Sequence, residues 1–289
     1  MDPVKRSLIS LHFTVVLLAG TGLFSHLVPL AAGDITLVRS VVACLALFVF
    51  LRLCGESLTL SRRRDYSIAI GLGALMALHW VTYFAAMQYA SVSVGMIAMF
   101  TFPVITVLIE PFFERIALVW QDLLSAIIVV AGIILMVPEV SLANDVTLGV
   151  AVGVLSAFLY SIRNLTHRKH FSHYSGAKAM AWQTLIVSVC VLPFGTPAIG
   201  EASLQTWGLL LLLGTVFTAL PHALIAACLR HLRAKTFSLI ACMQPFYGVI
   251  LAIVLLNESP GWQTLLGGIM ITSASIYETL NAHKLHNEG

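Results

Sequence analysis

The side chains of this sequence that are able to bind a ligand stand inside long apolar segments. His79 and Tyr83 lie four residues apart, so they share one face of an α-helix, and Trp80 lies about 100° around that helix from His79. The imidazole and the phenol can exchange hydrogen bonds with a ligand, and the rings can stack on it. The sequence therefore predicts that His79, Trp80 and Tyr83 line a ligand site. The alternative is a structural histidine that is satisfied by a neighbouring helix.

Three further candidates lie later in the chain. Tyr160 stands deep in an apolar segment, His222 follows Pro221, and Gln244 precedes Pro245. A proline removes a backbone hydrogen bond, and a broken helix at membrane depth is tolerated where it lines a cavity. We expect these three polar side chains to line the same ligand site. The alternatives are packing for Tyr160, and for His222 a simple kink with a hydrogen bond to another helix.

Two charged residues within apolar segments have two interpretations each. Burial favours the neutral form of a carboxyl group, so Glu110 could take up a proton and serve as a coupling residue. The interpretation that we favour is an ion pair with Arg115. Arg39 could attract an anionic substrate, but we predict that it pairs with Asp34 or extends to the membrane boundary.

Sequence patterns of common enzymes are absent. The chain has no Gly-x-Ser-x-Gly, no His-Glu-x-x-His and no phosphate-binding Gly-x-x-x-x-Gly-Lys. Its five cysteines form no Cys-x-x-Cys pair, so neither a disulfide framework nor a metal site is indicated. His167, His170 and His173 have a spacing that suits a metal, but their basic neighbours favour a solvated loop that touches anionic lipid. We predict no enzyme, no cofactor and no metal site.

The composition is typical of a membrane protein. Hydrophobic residues make up 59% of the 289 residues and charged residues 10%, whereas a soluble protein has about 25% charged residues. Lipid removes the need for a polar surface. The formal net charge of +3 argues against nucleic acid as a partner, because nucleic acid requires a concentrated basic patch.

Ten segments have the length and apolar character of a membrane-spanning helix, about 20 residues. The uniformly apolar runs favour helices over the alternating strands of a barrel. The first run is long enough to span, so we interpret it as a helix and not as a signal peptide. The predicted segments are 8–28, 35–54, 66–88, 92–112, 118–138, 147–166, 177–195, 205–228, 235–256 and 262–281.

Basic residues alternate between the loops. Lys and Arg collect in every second loop, and cytoplasmic loops are the ones enriched in them. This pattern predicts that both termini are cytoplasmic. The opposite loops, near 29–34, 89–91, 139–146, 196–204 and 257–261, contain no Lys or Arg.

An internal repeat is visible. Identical residues recur 142 positions apart, since Pro245, Trp262 and Gln263 match Pro103, Trp120 and Gln121. We predict two five-helix repeats, 1–140 and 141–289. Because five is odd, the second repeat enters the membrane inverted. Such inverted repeats build secondary transporters with a substrate site near the midplane. Pro103, Pro221 and Pro245 would then be hinges, or else static bends.

These features resemble the drug/metabolite transporter superfamily, EamA type, over nearly the whole chain. The patterns that carry the resemblance are Leu78-His79-Trp80-Val81-Thr82-Tyr83-Phe84, Tyr89-Ala90-Ser91-Val92-Ser93-Val94-Gly95, Glu110-Pro111, Ala234-Lys235-Thr236-Phe237-Ser238, Gln244-Pro245 and Leu256-Asn257-Glu258. The resemblance implies alternating access through a central cavity. The expected function is export of a small metabolite, such as an amino acid, across a bacterial inner (plasma) membrane.

The resemblance leaves several alternatives open. Uptake of a small solute is one, and a membrane enzyme or lipid-handling protein is another. The expected partners are a small-molecule substrate and membrane lipids, with possible proton or ion coupling. Small multidrug relatives couple through a glutamate in the first helix, whereas this chain has His12 and His26 there and no acid.

Overall fold

The computed structural model describes residues 3–113, 120–136, 144–222, 224 and 240–288, and the side chains in these ranges except 3–8, 278, 279 and 281–288. Every regular element in these ranges is helical, which confirms the predicted all-α class for this part of the chain. Arg115, the predicted division at 140/141 and the 234–238 pattern lie outside the described residues.

The first repeat begins with a long helix that passes through a short 3-10 turn, Thr21–Leu23. Its helices are α1 (Pro3–Gly20), α2 (Phe24–Leu27), α3 (Ala32–Leu53), α4 (Arg63–Tyr89), α5 (Val92–Met99), α6 (Phe102–Phe113) and α7 (Trp120–Met136).

The second repeat contains a helix with a π-helical turn, since α10 continues through Thr215–Ala219 to His222. Its helices are α8 (Asp145–His170), α9 (Gly176–Val191), α10 (Leu204–Gly214), α11 (Gln244–Leu256) and α12 (Trp262–Glu288), with 3-10 turns at Leu192–Phe194 and Pro197–Ile199.

Polar side chains fix the starts of several helices. Ser91, Asn144, Ser175 and Ser203 each accept a hydrogen bond from a backbone amide in the first turn of the helix that follows. This capping satisfies amides that have no partner inside the helix. Several helices extend beyond the predicted segments: α3 begins at Ala32, α12 continues to Glu288, and α8 continues to His170. Basic residues at the end of α8 favour this extension, since they complement the helix dipole.

Seven helical stretches are long and apolar enough to cross a membrane. They are Ile9–Leu27, Ala32–Leu53, Arg63–Tyr89, Val92–Phe113, Asp145–His170, Gly176–Phe194 and Leu204–His222. Two shorter apolar helices, α7 and α11, and the long α12 coincide with the other three predicted segments. Both shorter helices adjoin residues outside the described ranges. The chain is therefore a multi-pass membrane protein.

The structure repeats its helix breaks with the periodicity of the sequence. A two-residue turn at Phe100–Thr101 separates α5 from α6, and a turn at Cys242–Met243 precedes α11. These breaks are 142 positions apart, as are Pro103 and Pro245, which follow them. The hydroxyl of Ser275 donates to the Phe100 carbonyl at 3.0 Å, so a neighbouring helix satisfies a backbone group at the break.

Helix packing between the halves also has a paired pattern. Helices α3 and α9, and α7 and α12, each pack against their repeat counterpart, and α5 packs against α11, the counterpart of α6. Other contacts also occur in matched pairs. The contact between α4 and α8 is matched by the contact between α1 and the π-helical turn, and the contact between α3 and α10 is matched by the contact between α4 and α9. This is the pattern expected of two repeats related by a two-fold axis.

Glycines allow some of these helices to approach closely. A Cβ at Gly267 would lie 2.6 Å from the carbonyl oxygen of Gly132, and a Cβ at Gly95 would lie 2.9 Å from the Met87 amide nitrogen. Gly95 and the Gly267-Gly268 pair are therefore packing residues of the kind common between membrane helices.

Candidate functional site

His79 joins the two halves of the molecule. It is buried in α4 and contacts Ser156 of α8, with Nδ1 lying 2.8 Å from the Ser156 hydroxyl and 3.1 Å from the Ser156 carbonyl oxygen. The Ser156 hydroxyl in turn donates to the carbonyl oxygen of His79 at 3.0 Å. Each residue thus bonds to both the backbone and the side chain of the other.

This geometry determines which nitrogen of His79 carries the proton. The single hydroxyl proton of Ser156 goes to the His79 carbonyl, and the Ser156 carbonyl can only accept. Nδ1 must therefore be the donor, and Nε2 of the neutral ring is the acceptor. At Nδ1, His79 is therefore satisfied by a neighbouring helix, as the alternative interpretation expected. Nε2 has no hydrogen bond among the described residues, so it is suited to a ligand.

Aromatic rings surround His79 on the side of α8. The Tyr160 ring stacks on the imidazole with centroids 4.7 Å apart, and the Tyr83 ring lies 6.0 Å away. Phe102, at the start of α6, meets Tyr160 edge to face at 5.0 Å. The structure therefore brings Tyr160 and Tyr83 to His79. It also adds Phe102, which was not predicted from the sequence, although its position next to Pro103 and a helix break could have indicated it.

Trp80 faces a different helix from His79, as their angular separation predicts. The guanidinium carbon of Arg39, in α3, lies 3.7 Å from the centroid of the Trp80 ring and 5.1 Å from that of Phe84. His79, Tyr83 and Tyr160 form the His79 cluster. Trp80 lies at the edge of this cluster, and its ring packs against the buried guanidinium of Arg39. Such a cation–π contact contributes up to about 2 kcal/mol when it is desolvated.

The predicted pairing of Arg39 with Asp34 is wrong. The two oxygens of Asp34 accept from the Thr196 amide at 2.9 Å and from the Thr196 hydroxyl at 2.7 Å. Positions five apart on an α-helix differ by about 140° in direction, so Asp34 and Arg39 face different neighbours. Arg39 is also buried and does not extend to the membrane boundary.

The helix is not broken at Pro221: a π-helical turn at Thr215–Ala219 precedes the proline, and the helix continues through it to His222. Proline lacks the amide that would bond to the residue four positions earlier, which is Phe217. The Phe217 carbonyl accepts instead from the hydroxyl of Thr21 at 3.1 Å. Nδ1 of His222 is buried without a hydrogen-bond partner in the described part of the chain.

The remaining predicted residues stand at the starts of helices. Gln244 is half-buried at the first residue of α11, and within the described ranges no hydrogen bond connects it to the His79 cluster. Pro103 and Pro245 each lie at the beginning of a helix that follows a break. Their roles as hinges, like that of Pro221, stay predictions.

Glu110 has a basic partner, as the interpretation that we favoured predicts, whereas Arg115 itself lies outside the described residues. Its carboxylate forms an ion pair with Arg168 of α8, in the other repeat. Arg168 is available because α8 continues beyond its predicted end at 166. Nearby, Nζ of Lys169 donates to the Phe113 carbonyl at 2.6 Å. The structure therefore ties the end of α6 to the end of α8.

The histidines after the sixth predicted segment do not assemble a metal site. His173 lies 3.6 Å from a carboxylate oxygen of Asp65, which also accepts from the Tyr174 hydroxyl at 2.6 Å. Within the described ranges, no group of three potential ligands could hold a metal ion. Asp65 is therefore an acidic neighbour of this histidine-containing segment.

Comparison with known proteins identifies the family. The profile of the EamA-like transporter family matches residues 6–137 and again residues 147–277. The chain belongs to this family. It is therefore a transporter and not an enzyme, and the double match agrees with the two sequence repeats. A small-molecule substrate and a lipid environment follow from membership.

Individual relatives agree with this assignment. An uncharacterized transporter, YxxF of Bacillus subtilis (strain 168), is 25% identical over 277 residues, which cover 92% of this chain and 87% of the relative. The pseudopaline exporter CntI of Pseudomonas aeruginosa (strain UCBPP-PA14) is 24% identical over 252 residues, which cover 86% of each chain. A solved crystal structure superposes with a TM-score of 0.65 at 14% identity, covering 96% of this chain and 99% of the other, and shows the fold alone.

Proposed function

We propose that this EamA-like transporter exports a small metabolite, such as an amino acid, by alternating access between its two halves. The observation that carries the proposal is the His79 cluster. It combines His79 and Tyr83 of the first repeat with Tyr160 of the second, stacked at 4.7 Å from His79. Inverted-repeat transporters bind their substrates at such an interface, near the midplane.

The chemistry of the cluster fits a small molecule with both polar and apolar parts. Nε2 of His79 accepts a hydrogen bond, while the Tyr83 hydroxyl is buried without a partner among the described residues. A substrate that loses its water on binding needs such partners. Trp80, His222 and Gln244 are the other proposed contacts, with Trp80 at the edge of the site.

The proposed architecture is ten membrane-spanning helices, five in residues 1–140 and five in 141–289, with opposite orientations. Both termini are cytoplasmic in this proposal, and the membrane is the bacterial inner membrane. The distribution of Lys and Arg supports the orientation. The matched helix contacts and the repeated breaks support the pairing of the halves.

Alternating access requires contacts at each end that can open in turn. On the proposed cytoplasmic side, Arg168 and Lys169 of α8 bind Glu110 and Phe113 of α6. On the outer side, Asp34 binds Thr196. All of these contacts connect the two repeats. Pro103, Pro221 and Pro245 are the proposed hinges, because each stands beside a break or a π-helical turn in its helix.

The direct test has two stages. A thermal-shift screen of the purified protein against small metabolites finds ligands, because a bound ligand stabilises the folded state. Each hit is then loaded into proteoliposomes, and its movement is followed in both directions. Export predicts transport from the cytoplasmic face, and transport only from the outer face would instead establish an uptake permease. If no hit moves in either direction, the proposal fails.

A further inference from the structure

A buried arginine that forms no ion pair within the described ranges stands beside the His79 cluster. Arg39 is only 4% exposed. Its Nε and Nη1 make no hydrogen bond in the described part of the chain. A buried cation is stable only when it is paired or otherwise compensated, and in a membrane protein such a residue marks a functional site by default.

Contacts with protein groups compensate Arg39 only in part. Its guanidinium lies on the Trp80 ring at 3.7 Å, so one face of the group is covered. The N–H bonds of a guanidinium point outward in its own plane, so a ring below that plane cannot accept them. Asp34, the acid nearest in sequence on α3, is occupied by Thr196. The in-plane donors therefore remain available.

Other buried polar groups without partners lie on the same helices. The Tyr83 hydroxyl and the Thr36 hydroxyl have no hydrogen-bond partner among the described residues, although Tyr83 is 7% and Thr36 0% exposed. Thr36 and Arg39 are three positions apart on α3 and share a face. Tyr83 lies on α4 between Trp80 and Phe84, whose ring centroids are 3.7 Å and 5.1 Å from the Arg39 guanidinium carbon.

The second repeat supplies a further group. Nδ1 of His222, at the end of the helix that contacts α3, is buried without a partner in the described residues. Buried polar atoms without partners are rare in folded proteins, and each one requires an explanation. A single ligand that presents a negative charge and several acceptor atoms would explain all of these groups together.

We infer that Arg39, Tyr83 and Thr36 form a subsite for the carboxylate of the transported molecule. The inference rests on the proposed function and deepens it, because it names the chemical class of the substrate. A carboxylate accepts two parallel hydrogen bonds from a guanidinium. Its oxygens can also accept from the two hydroxyl groups. The remainder of the substrate would then lie toward the rings of Tyr160 and His79.

The test uses matched pairs of compounds that differ in charge only at one group. The purified full-length protein, in detergent and low-chloride buffer, is titrated with L-phenylalanine and L-phenylalaninamide, L-leucine and L-leucinamide, and benzoate and benzamide. Thermal shift measures each affinity. We expect the carboxylate of at least one pair to bind about tenfold more tightly than its amide, the effect of one charge-assisted hydrogen bond. If no carboxylate is preferred, the inference is wrong.

Variants assign the preference to Arg39. R39Q is expected to remove the preference for the carboxylate, and Y83F, which removes one oxygen and keeps the ring, is expected to reduce it at least threefold. R163Q is the control, because Arg163 is a second arginine in the spans, with hydrogen bonds to Gln183 and Asn164. It should keep the preference. If R39Q does not fold, Y83F decides, and an unchanged preference in Y83F overturns the subsite.

Two further measurements distinguish the carboxylate subsite from a phosphate site and from the proposed transport function. Inorganic phosphate is titrated alone, and stabilisation equal to that of the best carboxylate would overturn the assignment to a carboxylate. Transport in proteoliposomes is measured separately. If a compound is transported but no carboxylate is preferred, the subsite is refuted and the proposed transport function stands. A carboxylate preference without transport would refute the proposed function and leave the subsite.

Discussion

Glu258 binds Ser93 across the two repeats. Its carboxylate accepts from the Ser93 hydroxyl at 2.6 Å, from the Ser93 amide at 3.1 Å and from the Val92 amide at 2.8 Å. Asn257 has a left-handed backbone with φ of 54° and ends α11, which turns the chain toward α5. A carboxylate at the N-terminus of α5 satisfies free amides and complements the helix dipole.

The substitution E258Q is expected to destabilise the protein. The amide keeps the shape of the side chain and one acceptor oxygen, but it loses the negative charge, and its NH2 group cannot accept a hydrogen bond. The loss should be about 2 kcal/mol, as for hydrogen bonds to charged groups. Thermal unfolding in detergent measures it. E201Q is the matched control, since Glu201 is exposed and its substitution should leave the unfolding temperature unchanged. An equal effect of both substitutions would contradict this role of Glu258.

A second prediction concerns the contact between α7 and α12. In G267A, the new Cβ would lie 2.6 Å from the Gly132 carbonyl oxygen, and a backbone atom cannot move aside as a side chain can. We expect a cost of about 1–3 kcal/mol, typical of overpacking. G208A is the control, because nothing lies within 4 Å of its Cβ position and alanine favours a helix. The result would contradict the packing if G267A were as stable as G208A.

Properties that depend on local composition were predictable from the sequence. Apolar length and the 142-residue spacing indicated the helices and the repeats, and helical periodicity separated the directions of His79 and Trp80. The N-terminal caps at Ser91 and Ser175 also follow from residue type.

Partners that come from distant parts of the chain were not predictable. Arg39 was assigned to Asp34 because the two are close in sequence, yet Asp34 binds Thr196, 162 positions away. Nothing in the sequence distinguishes Ser156 as a contact of His79, because a serine in an apolar helix usually bonds to its own backbone. Its contact with His79 depends on how α4 packs on α8, and no local pattern contains that information.

The third prediction is topological. A reporter fused after Gly289 should behave as cytoplasmic and one inserted at Asp145 as external, because basic residues mark the cytoplasmic loops. Reporter enzymes that are active on only one side of the membrane make the measurement. A fusion within the loop 54–62, which precedes α4, serves as a cytoplasmic control. An external carboxyl terminus would require an odd number of spans and would refute the inverted repeat.

The fourth prediction concerns Glu110, for which coupling and structural roles were both open. Because Glu110 pairs with Arg168, we expect E110Q to keep the pH dependence of transport. The variant should lose up to about 1 kcal/mol of stability, the usual range for an ion pair with an exposed partner. R168Q should lose a similar amount, and the double variant little more. Transport measured across a range of pH is the readout, and loss of the pH dependence in E110Q would establish Glu110 as the coupling residue.

The last prediction concerns the substrate site itself. H79A removes Nε2 and the ring that stacks on Tyr160, and Y83A removes a ring together with a buried hydroxyl that has no partner among the described residues. We expect each variant to bind substrate about tenfold more weakly, since loss of one hydrogen bond of about 1.4 kcal/mol has that effect. S156A leaves the ring and the backbone carbonyl that accepts from Nδ1, and it removes only the hydroxyl that joins Nδ1 to the His79 carbonyl, so it should weaken binding less than H79A does. The control is H26A, because His26 is exposed and bonds to the Met87 carbonyl away from the cluster.

Affinity and unfolding temperature are measured on the same purified variants, because a residue that only packs would lower stability and leave the affinity of the folded protein unchanged. Normal transport in both H79A and Y83A, or instability as their only defect, would mean that this part of α4 is packing scaffold and that the substrate binds elsewhere.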